Sequence, residues 1–369
     1  MTIDFSKYAV SGITKLSPYQ PGKPIDELAR EFGLNPSEIV KLASNENPLG
    51  PSSKALAAIE KELKDLTRYP DGNGFELKKT LSEKLGVSTK QITLGNGSSD
   101  ILEFIVKTFV NPGEEVIVSQ HAFAIYGLVT QMQNGKTVQV PAKNWGHDLQ
   151  AMVDAVTEKT KIIFVTNPNN PTGTYNTKAQ LDAFLSQVPS HIIVLLDEAY
   201  FEYVDKPDYP NGIDYLKAYP NLVVTRTFSK AYGLASLRVG YGVSSEQLAD
   251  LMNRVRPPFN VDSLALAAAV ACLKDENYVR QSKELNDQGM SQLEAGFDQL
   301  NVNWIPSVGN FICFEIPNRA MDIFQGLLAR GVIVRPVANY EMPNFLRVSI
   351  GTQQENQRFL LELKDLLAG

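Results

Sequence analysis

The chain has 369 residues, of which 43% are hydrophobic and 21% charged, and its formal net charge is -6. This composition is ordinary for a soluble globular protein, and it provides enough apolar material for one large domain or for two. A net negative charge argues against general nucleic-acid binding, which normally requires a basic face.

The sequence also argues against a disulfide-rich protein, a metal site, a secreted protein and a membrane-spanning protein. Two cysteines, Cys272 and Cys313, are too few for a disulfide framework or a closed zinc site. The three histidines lie far apart, so we expect no metal site. The N-terminus, MTIDFSKYAV, lacks a secretory signal pattern, and the longest apolar run, Leu264–Leu273, is too short to span a bilayer. We therefore expect a soluble cytoplasmic protein without a membrane partner.

The first part of the chain predicts an α/β arrangement. Residues 17–24 are rich in Pro and Gly, which favours an extended arm. From Ser52 to Leu66 the apolar residues recur at helical spacing. Short apolar or β-branched runs then alternate with helix-like stretches, which predicts a mostly parallel sheet with helices on both faces. These candidate strands are Gln91–Leu94, Glu115–Ser119, Thr137–Val140, Lys161–Thr166, His191–Leu196, Leu222–Thr227 and Val239–Val243.

After residue 253 the pattern changes. A long helical stretch from Leu264 to about Leu300 leads into a second set of elements, which ends in an amphipathic helix. The candidate strands there are Phe311–Glu315, Val332–Arg335 and Leu346–Ile350. We predict three parts: an N-terminal arm over residues 1–44 that packs on the smaller domain, a large α/β domain over 45–260, and a smaller α+β domain over 261–369.

Polar loops follow four of the predicted strands. The carboxyl ends of parallel strands share one edge of a sheet, and ligands bind in the crevice there. Any one of these loops could be an ordinary turn, but together they predict a single site. The loops are Gly95–Asp100, Asn167–Gly173, Asp197–Tyr200 and Thr227–Tyr232.

The same loops resemble a known family. NPNNPTG, DEAY and TFSKAYGLASLRVGY are similar to the signatures of fold-type I pyridoxal-phosphate aminotransferases, and they occur in that family's order over nearly the whole chain. LASNENPLGPS (42–52), RYPDGNG (68–74), LGNGSSDIL (94–102), RPPFNV (256–261) and LRVSIG (346–351) resemble the histidinol-phosphate aminotransferases. The resemblance implies pyridoxal 5'-phosphate as cofactor. It also implies amino-group transfer from L-histidinol phosphate to 2-oxoglutarate in L-histidine biosynthesis, giving imidazole acetol phosphate and L-glutamate.

Four residues carry the chemistry that this resemblance implies. Lys230 would hold the cofactor as a Schiff base, because burial after an apolar strand favours a neutral amine, and the freed amine would then move a proton. Asp197 would keep the cofactor's ring nitrogen protonated. Tyr200 and Asn170 would hydrogen-bond the 3-hydroxyl. The alternatives are an exposed lysine, a helix-capping aspartate and a turn asparagine.

The cofactor's phosphate requires hydrogen-bond donors and positive charge. A helix N-terminus supplies free N–H groups and a favourable dipole, hydroxyls add donors, and a guanidinium can bind an anion with two bonds. The candidates are Gly97, Ser98, Ser99, Thr227, Ser229 and Arg238. GNGSSD is not a dinucleotide fingerprint, because Asp100 replaces the third glycine.

Three aromatic residues are further cofactor candidates. The resemblance implies that Tyr69 reaches the phosphate of the neighbouring subunit, and hence that the protein is a homodimer with shared sites. Phe123 is the first choice for stacking on the cofactor ring and Tyr126 the second. Each of these two could instead be an ordinary core aromatic, since the segment HAFAIY departs from the family pattern at His121 and Ala122.

Substrate recognition must serve two anions in turn, because glutamate brings a carboxylate and histidinol phosphate a phosphate ester. Arg347 and Arg335 are the candidates, since a guanidinium binds either group, although each could be a surface arginine on a strand. By resemblance, Asn47 and Tyr19 would also line the substrate side.

Three other functions compete with this one. A related aromatic-amino-acid aminotransferase would share the site, and a pyridoxal-phosphate-dependent phosphothreonine decarboxylase shares much of the pattern. Transcription regulators with an aminotransferase-like domain need an added DNA-binding module, for which this chain has neither spare length nor a basic helix.

Overall fold

The computed structural model describes residues 3–18 and 22–369. The α-helices are α1 (Ile25–Phe32), α2 (Ser53–Glu62), α3 (Phe75–Leu85), α4 (Ser98–Phe109), α5 (Ile125–Met132), α6 (Leu149–Asp154), α7 (Lys178–Gln187), α8 (Glu246–Val255), α9 (Ser263–Leu273), α10 (Glu276–Leu300), α11 (Ala320–Ala329) and α12 (Gln353–Ala368). The strands are β1 (Val40–Lys41), β2 (Ile92–Asn96), β3 (Glu115–Ser119), β4 (Lys136–Val140), β5 (Thr160–Thr166), β6 (Ile193–Asp197), β7 (Leu222–Thr227), β8 (Val239–Ser244), β9 (Trp304–Ile305), β10 (Phe311–Glu315), β11 (Val332–Ile333), β12 (Arg335–Pro336) and β13 (Phe345–Ser349).

The largest sheet has seven strands in the order β2-β8-β7-β6-β5-β3-β4. Neighbouring strands from β4 to β7 are parallel, whereas β8 runs antiparallel to both β7 and β2. The mostly parallel sheet predicted from the sequence is therefore confirmed. Each predicted strand in this region lies within two residues of an observed one.

Both faces of this sheet are covered. Successive residues of β5 alternate between two hydrophobic clusters, with Ile162 and Phe164 on one face and Ile163 and Val165 on the other. All four side chains are fully buried. A parallel strand that is buried on both faces reads as a continuous apolar run, which explains why the sequence of β5 shows no polar alternation.

A second unit is built around a four-stranded antiparallel sheet in the order β12-β13-β10-β9, and β1 and β11 form a separate parallel pair. The sequence predicted a single strand over Val332–Arg335, and that prediction is wrong. The chain changes sheets at Val334, so β11 pairs with β1 while β12 pairs with β13.

The long helical stretch after Leu264 is also divided in two. Helix α9 ends at Leu273 and α10 begins at Glu276. The buried face of α9 belongs to the same hydrophobic cluster as the seven-stranded sheet, and α9 packs against α2 and α3. Helix α9 therefore packs with the large sheet, and the domain boundary at residue 260 stays a prediction.

The N-terminal segment contacts both units. Leu28 and Ile39 share a cluster with Leu328 and Ile333 of the smaller unit. Nearer the start of the chain, the backbone N–H of Gly12 donates to Asn134 just after α5. The candidate Tyr19 lies outside the described residues.

One close backbone contact fixes where α4 begins. Gly240 in β8 faces the turn before α4, and a Cβ placed on it would lie 2.3 Å from the backbone nitrogen of Ser98. Gly97 adopts a φ of 77°, a conformation that glycine takes without strain. The start of α4 is therefore held against β8 without an intervening side chain.

We expect Gly240→Ala to lower the free energy of unfolding by about 1–3 kcal/mol, because the added methyl group must displace backbone. Urea unfolding followed by circular dichroism measures this. The control is Gly127→Ala in α5, where the nearest atom to a new Cβ is 4.0 Å away. That change should be neutral or stabilise by up to about 1 kcal/mol. Equal effects of the two substitutions would contradict the close-contact interpretation.

Candidate active site

The carboxyl ends of β5, β6 and β7 open into a cavity of about 310 Å³ between the two units. Strands β12 and β13 of the smaller unit close its other side. The predicted site residues that line it are Ser98, Ser99, Phe123, Asn170, Asp197, Tyr200, Thr227, Ser229, Lys230, Arg238, Arg335 and Arg347. The four polar loops therefore meet at one place, as the strand order requires.

The amine of Lys230 lies inside this cavity. Its Nζ donates a hydrogen bond to the backbone oxygen of Ser44 at 2.9 Å and lies 5.8 Å from the centre of the Tyr200 ring. Burial and the charge of Arg347 lower the pKa of this amine to about 7, and the carboxylate of Glu46 opposes the shift. A substantial fraction of the amine is therefore neutral, and hence nucleophilic, at neutral pH.

Asp197 ends β6 and is 3% exposed. Its two oxygens accept hydrogen bonds from the hydroxyls of Tyr126 at 2.8 Å and Thr225 at 3.0 Å. Burial raises the pKa of this carboxyl, and the two hydrogen bonds and the charge of Lys230 oppose the rise. A buried carboxylate of this kind is suited to a positively charged N–H group in the cavity.

Tyr200 and Asn170 lie beside this pair. The hydroxyl of Tyr200 accepts a hydrogen bond from Nδ2 of Asn45 at 2.9 Å, and burial raises the pKa of Tyr200 to about 12. The side-chain oxygen of Asn170 accepts a hydrogen bond from Arg347. Tyr200 therefore stays protonated at neutral pH and presents a polar hydroxyl to the cavity.

One end of the cavity is a cradle for an anion. Helix α4 begins at Ser98, and its N-cap, Gly97, has no side chain to satisfy the first N–H groups. A Cβ on Gly97 would lie 2.2 Å from the guanidinium of Arg238. Arg238 also donates to the hydroxyl of Ser229 at 3.2 Å. Backbone donors, a hydroxyl and a guanidinium thus converge where a phosphate fits.

The other end holds two buried arginines. Arg335 of β12 and Arg347 of β13 are directly opposite in the antiparallel register, which places their side chains on one face. They are 9% and 6% exposed. Arg347 donates to the backbone oxygen of Ala43 at 2.8 Å, lies 5.3 Å from the centre of the Phe311 ring, and has a buried Nε without a partner among the described residues. That unpaired donor suits a carboxylate or a phosphate.

Two predicted residues, Asn47 and Tyr126, do not line the cavity. Asn47 donates to the backbone oxygen of Ala231 and to the hydroxyls of Tyr278 and Ser282. It therefore fixes the backbone next to Lys230 and does not line the cavity. Tyr126 does not line the cavity, because its ring stacks on Phe164 at 4.5 Å while its hydroxyl binds Asp197.

Phe123 and Tyr69 are the other two aromatic candidates. Phe123 lines the cavity, which leaves it as the candidate for stacking on a cofactor ring. Tyr69 is 82% exposed and stacks on Phe259 with ring centres 4.7 Å apart. It does not line the cavity.

Sequence reasoning missed the residues that orient the predicted ones. Asn45, Ser44 and Thr225 hold Tyr200, Lys230 and Asp197 respectively. Asn45 lies in the same LASNENP segment from which Asn47 was chosen, and nothing in the motif distinguishes the two amides. Only the turn at Asn45, where φ is 54°, decides which of them points at the cavity.

A buried lysine whose pKa is lowered, a buried carboxylate and an anion cradle at one cavity define the kind of site that aminotransferases use. The family described as aminotransferase class I and II matches residues 37–363. A protein of Pseudomonas fluorescens named histidinol-phosphate aminotransferase 2 is 59% identical over 368 residues, which cover 100% of both chains. A protein of Pseudomonas aeruginosa with the same name is 58% identical over 99% of both chains.

A solved structure agrees with these relatives. The crystal structure of histidinol-phosphate aminotransferase from Sinorhizobium meliloti, in complex with pyridoxal-5'-phosphate, is similar with a TM-score of 0.89 and 27% identity, over 97% of this chain and 96% of that one. The chain belongs to the class I and II aminotransferases and, within them, to the histidinol-phosphate aminotransferase family. The resemblance and the fold class predicted from its motifs are confirmed.

The lowered pKa of the Lys230 amine predicts how its reactivity depends on pH. In the cofactor-free protein, reductive methylation of Lys230 should rise with a midpoint near pH 7, because the neutral amine is the reactive form. A lysine in a short peptide should show a midpoint near 10.4. Arg347→Gln removes a nearby positive charge and should move the Lys230 midpoint upward. Mass spectrometry of the peptide containing Lys230 measures both, and a midpoint above about 9 would show that the amine is ordinarily solvated.

Proposed function

We propose that this chain is a pyridoxal-phosphate-dependent transaminase that moves the amino group between L-histidinol phosphate and 2-oxoglutarate. The products are imidazole acetol phosphate and L-glutamate, in L-histidine biosynthesis. The observation that carries the proposal is the buried amine of Lys230, placed in one cavity with the buried carboxylate of Asp197 and beside the cradle at Gly97 and Arg238.

The residues of the cavity fit pyridoxal 5'-phosphate. When bound, the cofactor supplies an aldehyde that reacts with amines and a ring that withdraws electrons from the substrate. Asp197 would hold the proton on the ring nitrogen, because a buried carboxylate strongly favours a cationic N–H partner. Tyr200 and Asn170 would hold the ring's hydroxyl group, and Phe123 would cover a ring face.

The cofactor's phosphate has its own set of donors. The N–H groups of Ser98 and Ser99 at the start of α4, the hydroxyls of Thr227 and Ser229, and the guanidinium of Arg238 would bind it. Lys230 would anchor the cofactor covalently. After a substrate amine replaces it, the same amine of Lys230 would take the proton from the substrate's Cα, since its low pKa suits a general base at neutral pH.

Arg335 and Arg347 would bind the substrate's anionic group. A guanidinium accommodates a carboxylate and a phosphate equally, so one arginine pair can serve glutamate and histidinol phosphate in turn. The unpaired Nε of Arg347 supports this role. The names of the full-length relatives favour this reaction over the aromatic-amino-acid aminotransferase and the phosphothreonine decarboxylase.

We also propose that the protein is a homodimer whose subunits share their sites. Large apolar side chains are exposed along α2, after it and near Tyr69, which is typical of an interface. They are Leu56, Leu63, Leu66, Tyr69, Phe75 and Phe259. In the described part of the chain, no helix has both the length and the apolar character that crossing a lipid bilayer requires. A cytoplasmic location stays a prediction from the sequence.

The half-reaction tests the substrate. Adding histidinol phosphate to the cofactor-loaded enzyme should remove the cofactor's visible absorbance, and 2-oxoglutarate should restore it. Lys230→Ala should lower the rate by several orders of magnitude, because both the covalent anchor and the base are lost. Stopped-flow absorbance measures the rate. A higher catalytic efficiency with phenylalanine or tyrosine than with histidinol phosphate would overturn the substrate assignment in favour of an aromatic aminotransferase.

Mixing two inactive variants tests the shared site. Lys230→Ala lacks the amine, and Tyr69→Ala lacks the residue proposed to reach the partner's phosphate site. A hybrid dimer would contain one site with both residues intact, so remixing should restore about a quarter of the wild-type activity, because half of randomly formed dimers are hybrids. Light scattering verifies that both variants are dimers. If the remixed sample stays as inactive as its components, Tyr69 does not serve the partner's site.

A further inference from the structure

The side chain of Tyr126 is held rigidly beside the active-site cavity. It is 1% exposed, and its ring stacks on Phe164 of β5 with the ring centres 4.5 Å apart. Phe123 meets the same ring edge-on at 5.9 Å, and the hydroxyl of Thr130 donates to the backbone oxygen of Tyr126 at 2.7 Å. Because the ring is fixed from several sides, the direction of its hydroxyl group is fixed as well.

This hydroxyl joins two other buried side chains. Its oxygen lies 2.7 Å from Oγ1 of Thr166 and 2.8 Å from Oδ2 of Asp197. Burial and the charge of Asp197 raise the pKa of Tyr126 well above its usual value, so the hydroxyl keeps its single proton. An ionised carboxylate can only accept a hydrogen bond, so Tyr126 donates to Asp197 and Thr166 must donate to Tyr126. The three residues therefore form a directed chain of hydrogen bonds that ends on the carboxylate.

The register of the sheet shows how the chain is built. Asp197 of β6 pairs with Thr166 of β5 on one side and with Thr225 of β7 on the other. Thr225 donates directly to Oδ1 of Asp197 at 3.0 Å, whereas Thr166 is connected to Oδ2 through Tyr126. Each carboxylate oxygen thus has one hydroxyl donor. Each oxygen can accept a further hydrogen bond, so the group can still bind a cationic N–H in the cavity.

The chain favours the ionised form of the carboxyl group. Burial raises the pKa of Asp197, and the hydrogen bond from Tyr126 opposes this rise more strongly than the bond from Thr225 or the charge of Lys230. In a buried site, successive hydrogen bonds polarise one another, so the donation from Thr166 strengthens the donation from Tyr126. The ionisable groups that interact with Asp197 are Lys230, Tyr126, Tyr200, Tyr209 and Glu198, and Glu198 is paired with Arg226.

We propose that Tyr126 and Thr166 are positioning residues for the transamination. Their hydrogen-bond chain orients Oδ2 of Asp197 and keeps this carboxylate ionised, so that the proton shared with the cofactor stays on the ring nitrogen. The inference rests on the function proposed above, because it places the ring nitrogen beside Asp197. Tyr126 thereby acts on the cofactor through the carboxylate and not by stacking on the ring.

The cofactor-free protein provides the first test. Tyr126→Phe keeps the ring on Phe164 and removes only the hydroxyl, so it should raise the pKa of Asp197 by about 1 to 2. Carbon-13 NMR of protein labelled at the aspartate carboxyl groups measures this pKa, and the spectrum of Asp197→Asn identifies the signal. The control is Thr130→Val, which removes a fully buried hydroxyl from the same helix and should leave the pKa of Asp197 unchanged.

Thr166→Val tests the connection between the links of the chain. It should raise the pKa of Asp197 by a smaller amount, about 0.2 to 0.5, because Thr166 acts through Tyr126. In a protein that already carries Tyr126→Phe, the same change should have no further effect. An equal effect of Thr166→Val in both backgrounds would refute the chain, since Thr166 would then act on Asp197 without Tyr126. So would an unchanged pKa of Asp197 in Thr166→Val alone, a comparison that does not depend on whether Tyr126→Phe folds.

The cofactor-loaded enzyme provides the second test. With pyridoxal 5'-phosphate labelled with nitrogen-15 in its ring, the wild-type signal should be that of a protonated ring nitrogen. In Tyr126→Phe it should move towards the unprotonated value, because a carboxylate with a higher pKa draws the shared proton away. Thr130→Val should again match the wild type.

The result of either measurement can overturn the proposal. If Tyr126→Phe leaves the pKa of Asp197 or the ring-nitrogen signal at the wild-type value, Tyr126 only fills space beside the carboxylate. Neither measurement uses a substrate. A failure of histidinol phosphate to react would therefore count against the proposed reaction and not against the hydrogen-bond chain.

Discussion

The burial of the Lys230 amine is the constraint around which the rest of the site is arranged. A lysine loses solvation when it leaves water, so its neutral form becomes accessible at neutral pH. Arg347 reinforces this effect from the smaller unit, and Glu46 moderates it. The amine is held on the backbone oxygen of Ser44, which belongs to the segment before α2. The reactivity of one side chain therefore depends on three separate stretches of the chain.

The buried carboxylate of Asp197 is the counterpart of this amine. Its pKa is raised by burial, and without Tyr126 and Thr225 its charged form would be less favourable still. Tyr126 reaches it from α5, and Thr225 lies on the adjacent strand β7. Thr225 lies close to Asp197 because β6 and β7 are neighbouring strands. Tyr126 reaches Asp197 only because α5 packs against the sheet. Tyr126 therefore binds the carboxylate of Asp197 and does not line the cavity.

The part of the cavity with the two arginines depends on the contact between the two units. Arg335 and Arg347 come from the antiparallel sheet, and Asn170 comes from the loop after β5. Arg347 hydrogen-bonds to Asn170 and to the backbone oxygen of Ala43, so it links the smaller unit, the large sheet and the N-terminal segment. A hydrogen bond between the side chains of His147 and Asn169 also fixes the loop at residues 167–173. Residues on both sides of one loop thus determine where Asn170 lies.

The sequence by itself determined the parallel sheet and the strand-end loops, and it placed the candidate lysine and aspartate on loops that meet in one cavity. Alternation of apolar runs and the positions of Gly, Ser and Asn are local signals, and a parallel sheet converts them into one site. The sequence did not separate Asn45 from Asn47, or Phe123 from Tyr126, because neighbours in a turn or at a helix start differ only in the direction that packing imposes. Nor did it divide Val332–Arg335 between two sheets, since pairing partners far away in the chain make that choice. Lys230 was recognisable from its motif, but only the tertiary structure surrounds its amine with Ser44, Arg347 and Glu46 and so sets its pKa.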